Sequence, residues 1–381
     1  MFYLFYEWFH QAEGPLRFLR LFKSQTFRAL CAAATGFAFL YLVMPWFIRL
    51  MRRHGLSEQT RHYSELDAGR KASVPTMGGL VVLPAIILSA LLWCDPRVGF
   101  VPIALGAGLV GGLLGLADDV SKLRGGGSDR GLSRGVKYAA QAGLGLALAA
   151  ALLLDGLSPI ASEHVRGALY FPGDKYGLYL GAANALVVVF FMVLATNAVN
   201  LTDGMDGLAS VPSVLVFLVL AVFAYVIGRV DLAAYLQFFP YADECGEVLN
   251  HHLPGAGELA VLCCAGAGAV VGFLWFNAFP ATVMMGDTGA LGLGAMLGAA
   301  AVLIRQEFVF IIAGGVFMIE SGSAFIQDYI GLKLLGRRIF FRAPFHSAWL
   351  HRGVSENKVT VRLWILSAAF AAVALALLKL R

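Results

Sequence analysis

Carboxylates stand at two boundaries between apolar and polar sequence. Asp118 and Asp119 are adjacent and follow the apolar run GLLGLA, and Asp287 lies within the glycine-containing run MMGDTG. Adjacent carboxylates repel each other unless a cation shares them, and Mg²⁺ binds one or two carboxylates together with substrate phosphates. We therefore predict a Mg²⁺ or phosphate-chemistry site, with a solvated helix end or a plain turn as the alternative.

A second polar run, NAVNLTDGMDG, closes another apolar segment. If the preceding helix continues through it, Asn200, Asp203 and Asp206 are spaced three apart on one face and form a polar stripe. Gly204 and Gly207 permit turning and close backbone approach. Acidic residues at a membrane boundary are costly and indicate a functional site. A hydrated loop is the alternative interpretation.

Three further segments carry polar residues of interest. Pro280, in the run NAFP, predicts irregular backbone, which membrane depth tolerates only where it lines a cavity. Lys71 precedes PTMGG and could neutralise a diphosphate, although a lone lysine is more often a topology determinant. His346 lies in a loop rich in arginine, which favours an anion-facing loop. Glu320 and Asp328 are unusual within an apolar segment and have no evident partner.

The elements that must position these residues are strongly apolar. The chain has 381 residues, of which 59% are hydrophobic and 14% charged, against about 25% charged in soluble domains. Ten stretches approach the length needed to span a membrane, where backbone groups must be paired within helices. We predict an all-α integral membrane bundle forming a single domain over residues 1–381, with residues 1–28 as an N-terminal interfacial segment. The predicted spans lie near 29–48, 77–94, 98–117, 138–154, 178–197, 208–228, 259–277, 288–304, 308–330 and 363–378.

Charge distribution predicts the orientation of this bundle. Most of the 29 Lys and Arg residues fall in the loops after the odd-numbered spans. The positive-inside rule then places these five loops in the cytoplasm and both termini in the periplasm. The polar clusters fall in the same five loops, so we expect the loops to form one active site. The five cysteines show no metal-binding spacing and predict neither a disulfide framework nor a zinc site.

In this order, the motifs resemble the polyprenyl-phosphate N-acetylhexosamine-1-phosphate transferase superfamily, and most closely its phospho-N-acetylmuramoyl-pentapeptide transferases. The resemblance runs through PTMGG, the Asp118-Asp119 pair, NAVNLTDGMDGLA, GFLWFNAFPA, MGDTGAL and GRRIFFRAP. It implies ten helices in the bacterial cytoplasmic (inner) membrane and Mg²⁺ as cofactor. It also implies transfer of phospho-MurNAc-pentapeptide from UDP-MurNAc-pentapeptide to undecaprenyl phosphate, giving lipid I and UMP. Membrane lipids and a homodimer are the further expected partners, and no nucleic acid is expected.

Carried over by position, the resemblance implies catalytic roles for Asp118, Asp119 and Asp287. Asp118 would act as nucleophile or as base for the lipid phosphate, and Asp287 and Asp118 would hold Mg²⁺. The implied substrate-binding residues are Lys71, Thr76, Lys137, Asn200, Asp203, Gly204, Met205, Asp206, Asn277, Met284, Gly286 and His346.

Two departures from the family pattern and two rival functions remain. Family members commonly carry three consecutive histidines where this chain has His346, Ser347 and Ala348, and many have Phe where it has Met284. A transferase using UDP-N-acetylglucosamine is the rival within the superfamily. A secondary transporter is the rival from another class, although the sequence shows no internal repeat. The sequence leaves open whether Asp118 attacks first or the lipid phosphate attacks directly.

Overall fold

The computed structural model describes residues 1–3, 20–55, 74–125, 131–242, 248–250 and 252–379. The predicted site residue Lys71 and most of the predicted interfacial segment 1–28 lie outside these ranges. Helices account for most of the described backbone. They are α1 (Gln25–Arg53), α2 (Gly79–Trp93), α3 (Phe100–Gly125), α4 (Arg134–Leu153), α5 (Glu163–Gly167), α6 (Asn184–Thr202), α7 (Ser210–Ile227), α8 (Val230–Tyr235), α9 (Ala256–Asn277), α10 (Gly286–Leu303), α11 (Glu307–Ala313), α12 (Gly315–Phe325), α13 (Phe345–His351) and α14 (Glu356–Ala376).

Eight of the described helices are long and apolar enough to cross a membrane, namely α1, α3, α4, α6, α7, α9, α10 and α14. A ninth candidate span consists of α11, α12 and the π-helical turn Ile326–Leu334, with a bend of 85° between its two parts. The apolar helix α2 is shorter, with 15 residues. The all-α fold and its multi-pass membrane character are therefore confirmed. The count of ten, the orientation of the termini and the homodimer stay predictions.

Each predicted span overlaps a described helix, and the helix of the fifth begins a few residues after its predicted limit. Leu178–Tyr179 form strand β2, which pairs antiparallel with β1 (Ala168–Leu169), and α6 begins only at Asn184. A second hairpin pairs β3 (Pro240–Ala242) with β4 (Val248–Asn250). Strands of two or three residues are too short to show the alternating pattern by which a strand is recognised in sequence.

The polar stripe predicted to continue α6 was also wrong in part. The helix ends at Thr202, and Asp203 already has a non-helical backbone, with φ −78° and ψ 48°. The chain then turns, and Gly207 takes the left-handed conformation with φ 71°, which glycine adopts at no steric cost. Asp206 therefore belongs to a turn beyond the helix and does not extend its face.

Helix α10 lies at the centre of the bundle and is buried along nearly its whole length. Two glycines allow neighbouring helices to approach its first turn. A Cβ on Gly79 of α2 would lie 2.1 Å from the backbone nitrogen of Gly289. A Cβ on Gly115 of α3 would lie 2.1 Å from the backbone oxygen of Asp287. Small residues permit such backbone contact between membrane helices. The close packing brings the end of α3 beside the start of α10, where the acidic residues meet.

Candidate active site

Asp118 and Asp287 share the ammonium groups of two lysines. Asp118 Oδ2 lies 2.7 Å from Nζ of both Lys122 and Lys137. Asp287 Oδ2 lies 2.8 Å from Lys122 Nζ and 3.1 Å from Lys137 Nζ. The Asp118 side chain is fully buried, whereas the two lysine side chains are about one-fifth exposed, at 19% and 22%. The cluster is thus charge-balanced and partly open to solvent through its lysines.

Local sequence explains how both lysines reach this point. Lys122 lies one helical turn beyond Asp118 on α3, the spacing that lets an acidic and a basic side chain meet. Lys137 is in the first turn of α4, whose start is capped by the Ser133 hydroxyl, an acceptor for the Val136 N–H at 3.4 Å. Leu132 N–H, just before α4, donates to Asp118 Oδ1 at 2.7 Å. Asp118 therefore anchors the start of α4 as well as both lysines.

Asp119 makes a different set of contacts, all with the start of α10. Its Oδ1 accepts the Asp287 backbone N–H at 3.1 Å. Its Oδ2 accepts the backbone N–H and the hydroxyl of Thr288 at 2.9 and 2.7 Å. A carboxylate in this position satisfies amides that have no partner within the helix. Asp119 thus fixes the position of Asp287, and its own catalytic role stays a prediction.

The PTMGG and MMGD segments interlock through backbone hydrogen bonds. Met284 N–H donates to the Pro75 oxygen at 2.8 Å, and Gly78 N–H donates to the Met284 oxygen at 2.9 Å. Gly286 has φ 75°, and a Cβ there would lie 3.1 Å from Thr76 Oγ1 and 3.0 Å from Asp119 Oδ2. The structure thereby brings Thr76 and Gly286 to the acidic cluster.

Asn277, at the end of α9, connects two loops. Its Oδ1 accepts hydrogen bonds from Gly207 N–H at 3.1 Å and from the Ser210 hydroxyl at 3.0 Å. Its Nδ2 donates to the Val283 oxygen at 3.0 Å. The residue is buried, at 1% exposure. These contacts hold the turn after α6 against the loop that leads to Met284 and Asp287.

Asp206 reinforces the same connection. Its Oδ2 accepts Ala281 N–H at 3.0 Å, and its own N–H donates to Glu356 Oε1 at 3.1 Å. Met205 and Met284 are buried beside these contacts, at 0% and 4% exposure. These residues support the loops through internal contacts, and the substrate contacts expected of them stay predictions. Glu356 was not predicted, because an acidic residue at the start of a helix is common without any functional role.

His346 lies in the first turn of α13 and contacts both Glu320 and the turn after α6. Its Nδ1 is 3.0 Å from Glu320 Oε2, and a Cβ on Gly204 would lie 2.8 Å from its Nε2. The turn at Gly204 follows Asn200 and Asp203, which are half-buried at the end of α6. The structure therefore gives Glu320 the partner that its sequence did not reveal.

The structure also places Asp328, for which the sequence showed no partner, and His351, the second histidine of this segment. Asp328 lies 3.7 Å from Arg134 in an exposed pair, which is worth little in stability. His351 Nδ1 is 3.4 Å from Arg342 Nη1, and its ring lies 5.4 Å from that of Phe341. His351 thus contacts Arg342 and Phe341 rather than Glu320.

Of the predicted site residues, the described ones connect all five polar loops. Thr76, in the loop after the first predicted span, contacts the loop before α10. Asp118 and Lys137, in the loop after the third predicted span, contact Asp287 or share its partners. Gly204, in the loop after the fifth predicted span, contacts His346 in the loop after the ninth. Lys122 and Thr288 were missed. The i,i+4 spacing of Lys122 from Asp118 was a usable signal, whereas nothing in the sequence marked Thr288.

The oxygen donors of this site suit a hard cation. Within the described ranges, no group of three or more His, Cys, Asp or Glu residues could hold a metal. Asp118 Oδ2 and Asp287 Oδ2 nevertheless converge on the same pair of ammonium groups. Mg²⁺ characteristically combines one or two carboxylates with substrate phosphates and water. The donor set fits Mg²⁺ bound together with a phosphate substrate, and the metal itself stays a prediction.

Comparison with known proteins agrees with this geometry. Residues 101–305, from the start of α3 to the end of α10, match the model of glycosyl transferase family 4. Over 379 residues the chain is 39% identical to a phospho-N-acetylmuramoyl-pentapeptide-transferase of Methylacidiphilum infernorum (isolate V4), an alignment that covers 98% of this chain and 99% of that relative. Because the matched region contains the acidic cluster and the relative matches nearly end to end, the chain belongs to the phospho-N-acetylmuramoyl-pentapeptide-transferase family, within glycosyl transferase family 4.

Proposed function

We propose that the protein transfers phospho-MurNAc-pentapeptide from UDP-MurNAc-pentapeptide to undecaprenyl phosphate, giving lipid I and UMP. We place the reaction at the cytoplasmic face of the bacterial inner membrane. The observation that carries the proposal is the sharing of Lys122 and Lys137 by Asp118 and Asp287, where the polar loops after the first, third and seventh predicted spans meet. The full-length relative favours a muramoyl substrate over UDP-N-acetylglucosamine. A transporter is not favoured, because these groups lie at helix ends.

The reaction brings two anions together, so charge neutralisation dominates its catalysis. An oxygen of the lipid phosphate forms a bond with the β-phosphorus of the UDP-sugar. The bond from that phosphorus to the bridging oxygen breaks, and UMP leaves with the electron pair. Lys122 and Lys137 neutralise the charge that accumulates on the phosphate oxygens. Their flexible, partly exposed side chains can turn from the carboxylates toward the diphosphate.

Asp118 and Asp287 are the residues that would hold Mg²⁺. When bound there, the metal supplies Lewis-acid stabilisation of the negative charge on the diphosphate. Asp119 keeps Asp287 in place by accepting the first amides of α10. Of the two adjacent carboxylates, Asp118 thus has the role of metal ligand and Asp119 that of positioning residue.

The contacts of Asp118 favour direct attack by the lipid phosphate. Its Oδ2 contacts two ammonium groups, and its Oδ1 accepts Leu132 N–H. A carboxylate whose negative charge is stabilised by a hydrogen bond and by cations, whether the two ammonium groups or a bound Mg²⁺, is a weak nucleophile. In the alternative two-step route, Asp118 would attack the β-phosphorus first and form a covalent phospho-sugar intermediate. UMP would then leave before the lipid phosphate attacks. Rapid mixing of enzyme with UDP-MurNAc-pentapeptide alone separates the routes, since a burst of UMP occurs only in the second.

The decisive experiment uses purified full-length protein with Mg²⁺ and undecaprenyl phosphate. UDP-MurNAc-pentapeptide and UDP-N-acetylglucosamine are supplied in separate reactions, and UMP and the lipid product are measured by mass spectrometry. We expect UMP and lipid I with the first sugar, dependent on Mg²⁺. Turnover of UDP-N-acetylglucosamine instead would assign the rival substrate, and the absence of UMP from both reactions would refute the transferase proposal.

A further inference from the structure

A carboxylate is buried within the apolar helix α12. Glu320 is 0% exposed and lies in the same helix as the buried residues Val316 and Phe317. Burying a charge is costly unless hydrogen bonds or a counter-charge compensate it. The two buried serines nearby do not compensate it, because Ser321 donates to the Phe317 oxygen and Ser323 to the Glu320 backbone oxygen. The partner of the Glu320 carboxylate comes from α13.

Among the described residues, His346 supplies every hydrogen bond to that carboxylate. Its backbone N–H lies 3.2 Å from Oε1 and 3.3 Å from Oε2, and its Nδ1 lies 3.0 Å from Oε2. The His346 side chain is 6% exposed. An ionised Glu320 carboxylate only accepts hydrogen bonds and would therefore require the proton on Nδ1. Its contacts thus set the rotation of the imidazole ring and favour the tautomer protonated at Nδ1.

The opposite edge of the ring faces the turn after α6. A Cβ on Gly204 would lie 2.8 Å from Nε2 and 2.9 Å from Cε1 of His346. Gly204 lies between Asp203 and Asp206, in the turn that contacts Asn277 and the loop leading to Asp287. Nε2 is thus directed at one of the loops that surround the acidic cluster. Ser347 and Ala348 follow His346, so no adjacent imidazole can take its place.

We propose that Glu320 is a positioning residue for the transfer reaction, which orients His346 so that its Nε2 faces the Gly204 turn. This inference rests on the proposed function. A merely structural Glu320 would tie α12 to α13 without affecting the chemistry. The two roles differ in their dependence on His346, because a positioning residue loses its effect on turnover when the residue that it positions is removed.

The first test is a double-mutant cycle on the full-length protein. Glu320→Gln keeps the shape of the side chain and removes its charge. A carboxylate that orients an imidazole is worth roughly 10- to 100-fold where this has been measured at metal sites, so we expect kcat to fall by roughly that factor with little change in KM. In the His346→Gln background, Glu320→Gln should cause no further loss. Ser321→Ala, on the same helix, is the matched control and should retain wild-type kcat. Equal losses in both backgrounds would overturn the proposal.

The second test does not depend on turnover. Nitrogen NMR of ¹⁵N-histidine-labelled protein in lipid nanodiscs reports which imidazole nitrogens carry protons, and His346→Asn assigns the signal. We expect a proton on Nδ1 of His346 in the wild-type protein and a shifted Nδ1 signal in Glu320→Gln. If that variant does not fold, Glu320→Asp is the substitute, and the wild-type spectrum still decides the tautomer. An unprotonated Nδ1 would refute the proposal even in an active enzyme. An inactive wild-type protein with the expected spectrum would refute only the proposed function.

Discussion

The two ends of helix α9 lie beside two charge clusters that differ in how their charges are paired. At its start, Glu258 forms a two-pronged ion pair with Arg28, with N–O distances of 2.6 and 2.7 Å. Asn277, at the other end of the helix, supports the loops around the acidic cluster. A rise of 1.5 Å per residue separates Glu258 and Asn277 by about 28 Å. In the first cluster one cation meets one anion. In the second, two carboxylates share two lysines.

The difference separates a structural ion pair from a reactive one. Glu258 also accepts Asp95 N–H at 2.8 Å, Arg28 donates to the Trp93 oxygen at 3.0 Å, and both side chains are almost fully buried. The planar guanidinium matches a carboxylate in a fixed geometry, whereas an ammonium on a flexible stem can change partners. The Arg28–Glu258 pair therefore fastens α1 to α9, while the shared lysines can transfer their charge to a substrate.

The largest effect is expected from Asp287→Asn. It removes one of the two carboxylates that share both ammonium groups and would hold Mg²⁺, so we expect UMP release to fall by about 1,000-fold, as for other preorganised charges. The unfolding temperature should change little. Asp231→Asn is the control, because Asp231 also pairs with a cation, Arg229, but at an exposed site. Activity within tenfold of wild type would remove Asp287 from the chemistry.

The opposite cluster should respond in stability and not in turnover. Glu258→Gln leaves the buried Arg28 charge without its anion, so we expect a loss of about 3–5 kcal/mol in the free energy of unfolding. The folded fraction should retain wild-type kcat. Thermal unfolding in detergent and active-site-normalised UMP release measure the two quantities. The double variant Arg28→Met/Glu258→Leu should recover part of the stability, and a kcat loss in either variant would contradict the division between the clusters.

Lys122→Gln and Lys137→Gln sharpen the comparison within the active site. Each removes one shared ammonium group, and we expect kcat to fall by roughly 100-fold. Lys→Arg should restore only part of this, because the guanidinium fork favours fixed pairing over exchange. Steady-state kinetics at saturating Mg²⁺ measure the effect. Full activity of either arginine variant would contradict the argument that exchange of partners matters.

The smallest effect is expected from Thr288→Val. It removes one of the three hydrogen bonds that Asp119 accepts from α10, a loss of about 1 kcal/mol. We expect kcat to fall by about fivefold with an unchanged preference for UDP-MurNAc-pentapeptide. Thr288→Ser, which keeps the hydroxyl, is the control. If serine lowers kcat as much as valine, loss of this hydrogen bond would not explain the effect, because serine keeps the hydroxyl.

The sequence was sufficient to predict the membrane bundle and the convergence of its polar loops, because apolar length and basic loops follow from the bilayer itself. It could not predict the partners of Glu320 or Asn277, since these depend on loops distant in sequence. The prediction of a polar helical stripe through Asp203 and Asp206 was wrong for another reason. Spacing alone does not show where a helix ends, and here the end came before both residues.

The cap that Asp119 forms on α10 has a consequence for phosphate recognition. The start of a helix ordinarily attracts a phosphate through its free amides and the positive end of its macrodipole. Here the amides of Asp287 and Thr288 already donate to a carboxylate of this chain. A diphosphate arriving at α10 therefore meets an electrostatically satisfied terminus, and its recognition falls to mobile side-chain charges. Substrate affinity should accordingly be governed by ionic strength.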